Sequence, residues 1–231
     1  MNKNNLLSEL KLRDIAISDK QIDQLYFLMQ KTLETNEKFN LTSITNEESF
    51  LEKMIFDSAI SLQELDLTDK KVIDVGTGAG FPGLVLYILN PSMHLTLLDS
   101  TQKKIDYLSS FVKENNFDIE CLCSRGEELK RPEYFDYAFA RAVAPLNILL
   151  EIIVPLLKVG GTFIALKGPG FEKEINESAN AFKKLNCSLT KIVEDELPES
   201  KEKRYMIYIK KDKSTNKKYP RPYAEMKKLP L

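Results

Sequence analysis

Several residue types and segments are scarce in this sequence of 231 residues. It has one histidine, His94, and three cysteines, and Cys121 and Cys123 alternate along one predicted strand, so neither paired disulfides nor a metal site is expected. No stretch contains eighteen uninterrupted apolar residues, and the opening MNKNNLLSELKLRD lacks the apolar centre of a signal peptide. These absences predict a protein of the cytoplasm with no membrane partner.

The charges are nearly balanced in total but not along the chain. The formal net charge is −1, yet residues 201–231 contain eleven Lys or Arg and only three Asp or Glu. A basic end of this kind is compatible with contacts to the phosphates of RNA or DNA. It is equally compatible with a solvated tail, so both interpretations stay open at this stage.

Two patterns of apolar residues divide the chain. Residues 5–65 place apolar side chains three and four positions apart, which predicts helices, with Asp19 capping the second and Thr45 or Asn46 capping the third. From Lys71 onward, short β-branched runs alternate with helix-length amphipathic segments. That alternation is typical of right-handed βαβ crossovers and of a parallel sheet covered on both faces.

The end of the sheet region departs from this alternation. Two β-like runs, CSLTKIVED and RYMIYIK, follow each other with no helix between them, which predicts an antiparallel hairpin at one edge. We therefore predict an α/β protein with three parts: an N-terminal helical extension over residues 1–65, a Rossmann-like domain over residues 66–211 and a basic C-terminal tail over residues 212–231.

Four glycines lie close together in KKVIDVGTGAGFPG, directly after the first predicted strand. A GxxxxGK[ST] phosphate loop is excluded, because no Lys-Ser or Lys-Thr pair follows these glycines. Gly78, Gly80 and Gly83 formally satisfy the dinucleotide pattern GxGxxG, but the strand ends at Val75 and Gly76 makes the turn. In the dinucleotide fold the first glycine of the pattern makes that turn, so the register argues against a dinucleotide site.

An acid, Asp99, ends the next predicted strand, HLTLLD. A carboxylate at this position can accept the hydroxyl groups of a ribose, and the glycines let the backbone approach a ligand closely. S-adenosylmethionine contains a ribose, an adenine and a sulfonium but no phosphate. The turn, the acid and the edge hairpin together favour a methyltransferase over an NAD-binding protein. A methyltransferase acting on a small molecule or a protein stays open as an alternative.

The ordered motifs VIDVGTGAGFPG, LTLLDSTQKKIDYL, SRGEEL, ARAVAPLNILLE and GGTFIALKG, with KFNLTSIT upstream, carry a family resemblance. Over residues 36–210 the chain resembles the RsmG (GidB) family, the bacterial 16S ribosomal RNA guanine-N7 methyltransferases. The resemblance implies a class I methyltransferase fold with a mostly parallel seven-stranded sheet. It also implies S-adenosylmethionine as methyl donor and 16S rRNA or the small ribosomal subunit as partner. We further expect no metal and a monomeric protein.

The same resemblance implies a set of cofactor-binding residues, while no catalytic residue is named because guanine N7 carries no proton to remove. Two places depart from the family pattern. Met54 stands in MIFDS where members often have histidine, and Arg125-Gly126-Glu127 stands where members have a Gly-Ala-Glu-like stretch. Lys167, after the last parallel strand, is a further candidate for RNA contact. The implied cofactor contacts are Gly76, Phe81, Asp99, Ser100, Thr101, Gly126, Glu127 and Arg141.

Overall fold

The computed structural model describes residues 1–63 and 65–231. In this part of the chain seven strands form one sheet. They are β1 (Lys71–Val75), β2 (His94–Asp99), β3 (Ile119–Cys123), β4 (Phe135–Arg141), β5 (Leu157–Lys167), β6 (Cys187–Glu196) and β7 (Lys203–Lys211). Their order across the sheet is β3-β2-β1-β4-β5-β7-β6, so the chain reverses its direction of travel between β1 and β4.

The pairing of the strands confirms the predicted fold class. β1 lies between β2 and β4, β3 lies outside β2, and β5 lies beside β4, all in parallel. β7 pairs antiparallel with both β5 and β6. The sheet is therefore mostly parallel with an antiparallel hairpin at one edge, as in class I methyltransferases.

Helices cover both faces of the sheet. Alternate strand residues point to opposite faces, so Val72 joins one apolar cluster and Ile73 joins the other. The helices are α1 (Lys3–Leu12), α2 (Asp19–Asn36), α3 (Glu47–Phe50), α4 (Asp57–Ala59), α5 (Gly83–Leu89), α6 (Gln102–Glu114), α7 (Leu146–Ile153), α8 (Phe171–Glu177), α9 (Ala179–Leu185) and α10 (Tyr223–Lys228). One face is covered by α2, α5 and α6, and the other by α7, α9 and α10.

The helix starts agree only partly with the sequence prediction. α2 is capped by Ser18, whose hydroxyl accepts from the Gln21 backbone N–H while the Gln21 side chain accepts from the Ser18 backbone N–H. The predicted cap, Asp19, was therefore wrong by one position and is the first helical residue. Asn46 caps α3 as predicted, with its side chain accepting from the Ser49 N–H. Both caps satisfy N–H groups that a helix start otherwise leaves free.

The third predicted helix is interrupted. After α3 the chain forms a π-helical stretch, Leu51–Phe56, then α4, then a 3₁₀ turn, Ile60–Leu62. The end of the predicted helix includes Glu64, which lies outside the described residues. The first apolar cluster runs without a break from these N-terminal helices into the sheet. The division into an extension and a separate domain stays a prediction.

The basic C-terminal segment, residues 212–231, is folded against the protein. Its backbone leaves β7 beside Asn186, whose carbonyl accepts from the Asp212 N–H, and it later forms the short helix α10. Tyr219, Met226 and Leu231 belong to the apolar cluster under α7. The interpretation as a merely solvated tail is therefore wrong for these three side chains.

Candidate active site

A cleft of about 980 Å³ opens at the carboxyl ends of β1 and β4. These two strands flank the point at which the strand order reverses, and ligands of open α/β sheets bind outside this point. Its walls come from the turn after β1, the loop after β4, the end of β5, the π-helical stretch and residues 41–44. The N-terminal helical region therefore supplies one wall of the site.

The turn after β1 is built from glycines in left-handed conformation. Gly76, Gly78 and Gly80 have φ values of +72°, +60° and +98°, and residues with a side chain rarely adopt such values. The N–H groups of Gly76 and Thr77 donate to the Leu98 carbonyl, which ties the turn to β2. No atom lies within 4 Å of the place a Cβ on Gly78 would occupy, so bare backbone faces the cleft there.

Asp74, the fourth residue of β1, is fully buried directly behind the turn. Its Oδ2 accepts from the Thr77 hydroxyl at 2.7 Å and from the Gly83 backbone N–H at 2.9 Å. Its Oδ1 has no hydrogen-bond partner among the described residues. Burial raises the pKa of this carboxyl to about 6, against the opposing effect of the two hydrogen bonds.

The hydrogen bond between Asp74 and Gly83 occupies the N-terminus of α5. A helix N-terminus is the place where dinucleotide folds hold a pyrophosphate, because its free N–H groups attract anions. Here the Gly83 N–H, the first of α5, already donates to the Asp74 carboxylate. A phosphate at this position would compete with that bond and lie beside an acid.

Asp99 ends β2 and lies next to the glycine turn, 7% exposed. Its Oδ2 accepts from the Gly78 N–H at 3.0 Å and its Oδ1 from the Thr101 N–H at 2.9 Å. The Lys104 ammonium lies 3.6 Å from Oδ2. The carboxylate therefore connects the glycine turn to the start of α6. Its position beside the turn also suits contact with ribose hydroxyls, whereas the start of α6 has no side-chain cap hydrogen bond.

Arg141, the last residue of β4, reaches the cleft from the opposite side. Its guanidinium donates to the Lys53 carbonyl at 3.1 Å, to Asp57 Oδ2 at 3.3 Å and to the Met54 sulfur at 3.2 Å. Burial lowers its pKa, and the Asp57 carboxylate opposes this effect. Its ion-pair partner is Asp57, and the Asp74 carboxylate acts on it in the same direction from a longer distance.

Asp57 joins two arginines from different strands. Its Oδ1 lies 3.2 Å from Arg204 Nε on β7, while its Oδ2 faces Arg141 on β4. The Asp57 side chain is 8% exposed, so both ion pairs lie largely out of water. Asp57 lies in the motif MIFDS, and the sequence alone predicts no role for it. The only local signal was an acid directly after an apolar helical run. The sequence around Asp57 does not show its partners, because they lie 84 and 147 residues away.

Four lysines line the cleft. Lys53 pairs with Glu202, and Lys167 donates to Glu174 at 2.7 Å and to the Ala144 carbonyl at 3.1 Å. Lys104 and Lys173 line the same cleft. Lys167 therefore does reach the cleft, as expected from its place after the last parallel strand, although Glu174 holds its ammonium.

The predicted cofactor residues divide into two groups in the structure. Gly76, Phe81 and Arg141 line the main cleft together. Phe81 is only 3% exposed and packs edge-on against Phe50, with ring centroids 5.5 Å apart, so most of its surface belongs to the core. The Arg141 guanidinium lies 5.9 Å from the Phe81 ring centroid.

The second group follows the ends of β2 and β3 at the same edge of the sheet. Asp99 is nearly buried, whereas Ser100 and Thr101 are exposed, and Thr101 caps α6 without a side-chain hydrogen bond. Gly126 and Glu127 form a 3₁₀ turn after β3. Glu127 lines a separate groove of about 710 Å³ rather than the main cleft.

Two absences hold for the described residues. No group of three or more His, Cys, Asp or Glu in residues 1–63 and 65–231 is arranged to hold a metal ion. In the same ranges, no helix combines the length and the apolar character needed to cross a membrane.

Known proteins with similar sequences share one description. The model of the family described as rRNA small subunit methyltransferase G matches residues 21–207. A "Ribosomal RNA small subunit methyltransferase G" from Lactobacillus acidophilus is 38% identical over 239 aligned positions, covering 100% of both chains. One of the same name from Mycoplasma capricolum subsp. capricolum is 40% identical and covers 95% of both.

Solved structures share the fold at much lower identity. M. jannaschii TYW2, solved in complex with AdoMet, superposes with a TM-score of 0.59 at 12% identity over 74% of this chain and 80% of its own. A SAM-dependent methyltransferase from Aquifex aeolicus has a TM-score of 0.54 at 19% identity, over 77% and 97%. These likenesses establish the class of sheet around the cleft.

Proposed function

Because the chain belongs to the rRNA small subunit methyltransferase G family, we propose that it transfers a methyl group from S-adenosylmethionine to N7 of a guanine in 16S ribosomal RNA. The observation that carries the choice of cofactor is the Asp74 carboxylate on the first N–H of α5. It fills the place of a pyrophosphate, so it disfavours the NAD alternative and suits a donor without phosphate.

The donor set around the turn fits S-adenosylmethionine. Bare backbone at Gly78 leaves room for the amino-acid part, and the Asp99 carboxylate, held by two N–H groups, is placed to accept from ribose hydroxyls. The unpartnered Asp74 Oδ1 adds negative charge behind the turn, which favours a cationic ligand. We assign cofactor binding to Gly76, Phe81, Asp99, Ser100, Thr101, Gly126, Glu127 and Arg141.

The chemistry requires orientation more than proton transfer. Guanine N7 carries a lone pair and no proton, so no general base is needed. When bound, S-adenosylmethionine supplies the sulfonium methyl group. The task of the protein is to hold N7 and this methyl at attack distance, and such orientation contributes roughly 7–11 kcal/mol. We assign this task to the glycine turn and to Arg141, which Asp57 fixes in place.

The acceptor side of the proposal rests on the lysines that line the cleft. Lys53, Lys104, Lys167 and Lys173 line the cleft, and phosphates flanking a target base would meet them first. A base exposed in a loop reaches such a cleft without unstacking a duplex. We propose that the monomer acts in the cytoplasm on 16S rRNA, as naked RNA or within the small subunit.

The test uses small ribosomal subunits from a bacterial strain that lacks its own enzyme of this family. With methyl-labelled S-adenosylmethionine, the label is expected in 16S rRNA as 7-methylguanine. Subunits from the parent strain, whose guanine is already methylated, are the matched control and accept no label. Label in another base, or in small molecules only, would contradict the proposal. Naked 16S rRNA in a parallel reaction distinguishes the two forms of substrate.

Calorimetry on the protein alone tests the cofactor. Binding of S-adenosylmethionine and absence of binding by NAD is the expected pair of results. NAD binding without S-adenosylmethionine binding would support the alternative of a dinucleotide protein.

A further inference from the structure

The C-terminal segment, residues 212–231, crosses one face of the molecule from the amino ends of the parallel strands to their carboxyl ends. It starts beside the end of α9, where the Thr215 hydroxyl donates to the Leu185 carbonyl. It ends at α10, which lies near the turn after β3 because the Tyr223 ring is 5.8 Å from the Arg125 guanidinium carbon. The segment thus arrives at the edge that contains the candidate site.

One ion pair attaches the segment to α7. Arg221 Nε donates to Glu151 Oε1 at 2.7 Å, Arg221 Nη2 donates to Oε2 at 2.6 Å, and the Arg221 backbone N–H donates to Oε1 at 3.0 Å. The Glu151 side chain is 1% exposed. A paired, planar contact of this kind fixes the direction of the guanidinium. Arg221 Nη2 also donates to the Leu229 carbonyl, which secures the end of α10.

The same part of α7 supports the turn after β3. The Ile152 side chain, next to Glu151, would lie 2.5 Å from a Cβ on Gly126, so glycine lets the turn pack directly on the helix. On its outer side the turn faces the C-terminal segment across the groove of about 710 Å³. The Glu127 side chain is 8% exposed, and its carboxylate lies 4.0 Å from Arg125. Helix and segment therefore enclose the turn from two sides.

We propose that the C-terminal segment is a positioning element of the cofactor site. Docked by Arg221 on Glu151, it holds the Gly126–Glu128 turn in its binding geometry through the Tyr223–Arg125 contact. The proposal rests on the proposed role of Gly126 and Glu127 in binding the adenosyl part of S-adenosylmethionine. Arg221 and Tyr223 act through the turn and do not touch the cofactor.

The first test removes the attachment in the full-length protein. Arg221→Met is expected to raise the Kd for S-adenosylmethionine about tenfold. This corresponds to an undocked segment that leaves the turn in its binding geometry about a tenth of the time. The kcat at saturating S-adenosylmethionine should stay close to that of the unaltered enzyme. The matched control is Arg13→Met, which removes another two-bond pair, to Asp195, between α1 and β6. It should lower the Tm but leave the Kd unchanged.

The second test leaves the attachment intact and changes only the ring at the turn. Tyr223→Ala is expected to raise the Kd about threefold, the size of a partly exposed cation–π contact. Tyr223→Phe keeps the ring and should bind as the unaltered protein does. Because Tyr223 is only half-buried, both variants should fold.

The outcomes separate this proposal from the proposed function. If the unaltered protein binds S-adenosylmethionine and neither Arg221→Met nor Tyr223→Ala weakens binding beyond the Arg13→Met control, the segment contributes only stability and this proposal is overturned. If Tyr223→Phe weakens binding as much as Tyr223→Ala, the ring contact is overturned. If the unaltered protein does not bind S-adenosylmethionine, the proposed function fails as well.

Discussion

At Gly76 the need for glycine arises from both the backbone and the surroundings. Its φ is +72°, and a Cβ would lie 2.5 Å from Val143 Cγ2 in the loop after β4. We expect Gly76→Ala to push these two loops apart and to weaken S-adenosylmethionine binding about tenfold, equivalent to about 1.4 kcal/mol. Calorimetry gives the affinity.

Gly160 provides the control for this prediction. Its φ is +86°, but no atom lies within 4 Å of its Cβ position. Gly160→Ala should therefore lose about 1 kcal/mol of stability through backbone strain alone and keep the affinity. Equal affinities in the two variants would show that the Gly76 turn does not shape the cofactor site.

Asp99 presents a second prediction at the residue scale. Its carboxylate accepts from Gly78 and Thr101, so it both holds the turn and is placed for ribose hydroxyls. Asp99→Ala should lower the affinity for S-adenosylmethionine by about 1–3 kcal/mol through loss of charge-assisted hydrogen bonds. Asp106→Ala, which replaces an exposed acid of α6, is the control and should bind normally. An unchanged affinity of Asp99→Ala would leave Asp99 with the role of holding the turn alone.

At the scale of elements, the C-terminal segment combines buried anchors with exposed lysines. Within the described part of the chain, Lys213, Lys217 and Lys218 are exposed and form no ion pair, while Tyr219 beside them is buried. Deleting the segment to test RNA binding would therefore also open the core. Replacing lysines separates the two effects.

We expect the triple variant Lys213→Gln, Lys217→Gln, Lys218→Gln to bind 16S rRNA less tightly. The slope of log affinity against log salt should become shallower by about 2, since each phosphate contact on single-stranded RNA contributes about 0.7. The control replaces three exposed lysines elsewhere, Lys11, Lys20 and Lys113, with glutamine. Equal slopes in both triple variants would mean that this part of the segment does not contact RNA.

At the scale of the whole molecule, Asp74 makes stability depend on pH. Burial raises its pKa to about 6, above the ordinary value of 3.8. Between these values the folded protein keeps a proton that the unfolded chain has lost, so this group stabilises the fold at low pH. The contribution is lost as pH rises through about 6, and its full size is about 3 kcal/mol at 1.36 kcal/mol per pKa unit.

Asp74→Asn removes this titration. As pH rises from 4 to 7, the free energy of unfolding of the variant should increase relative to that of the unaltered protein. Urea unfolding at each pH measures both free energies. Asp118→Asn, an exposed acid, is the control and should show no such change. A constant difference between Asp74→Asn and the unaltered protein across this range would contradict the raised pKa.

Local sequence determined the elements and their order, because periodicity, glycine turns and β-branched runs act over a few residues. Alternation from Lys71 onward predicted the parallel sheet, and two runs without a helix between them predicted its edge hairpin. The turn at Gly76 and the acid at Asp99 were found in the same way. In the N-terminal region this reasoning failed in detail, since nothing in the apolar spacing distinguishes a π-helical stretch, Leu51–Phe56, from a continuous α-helix.

Only the tertiary structure decided which distant charges meet. Asp57 lies between Arg141 and Arg204, and Glu151 receives Arg221, because the sheet brings together residues 70 or more positions apart. A charge run such as residues 201–231 has the same composition whether it is solvated or docked. Whether it docks depends on a buried acid on α7 and on an apolar surface beneath the segment, and both lie outside the run itself.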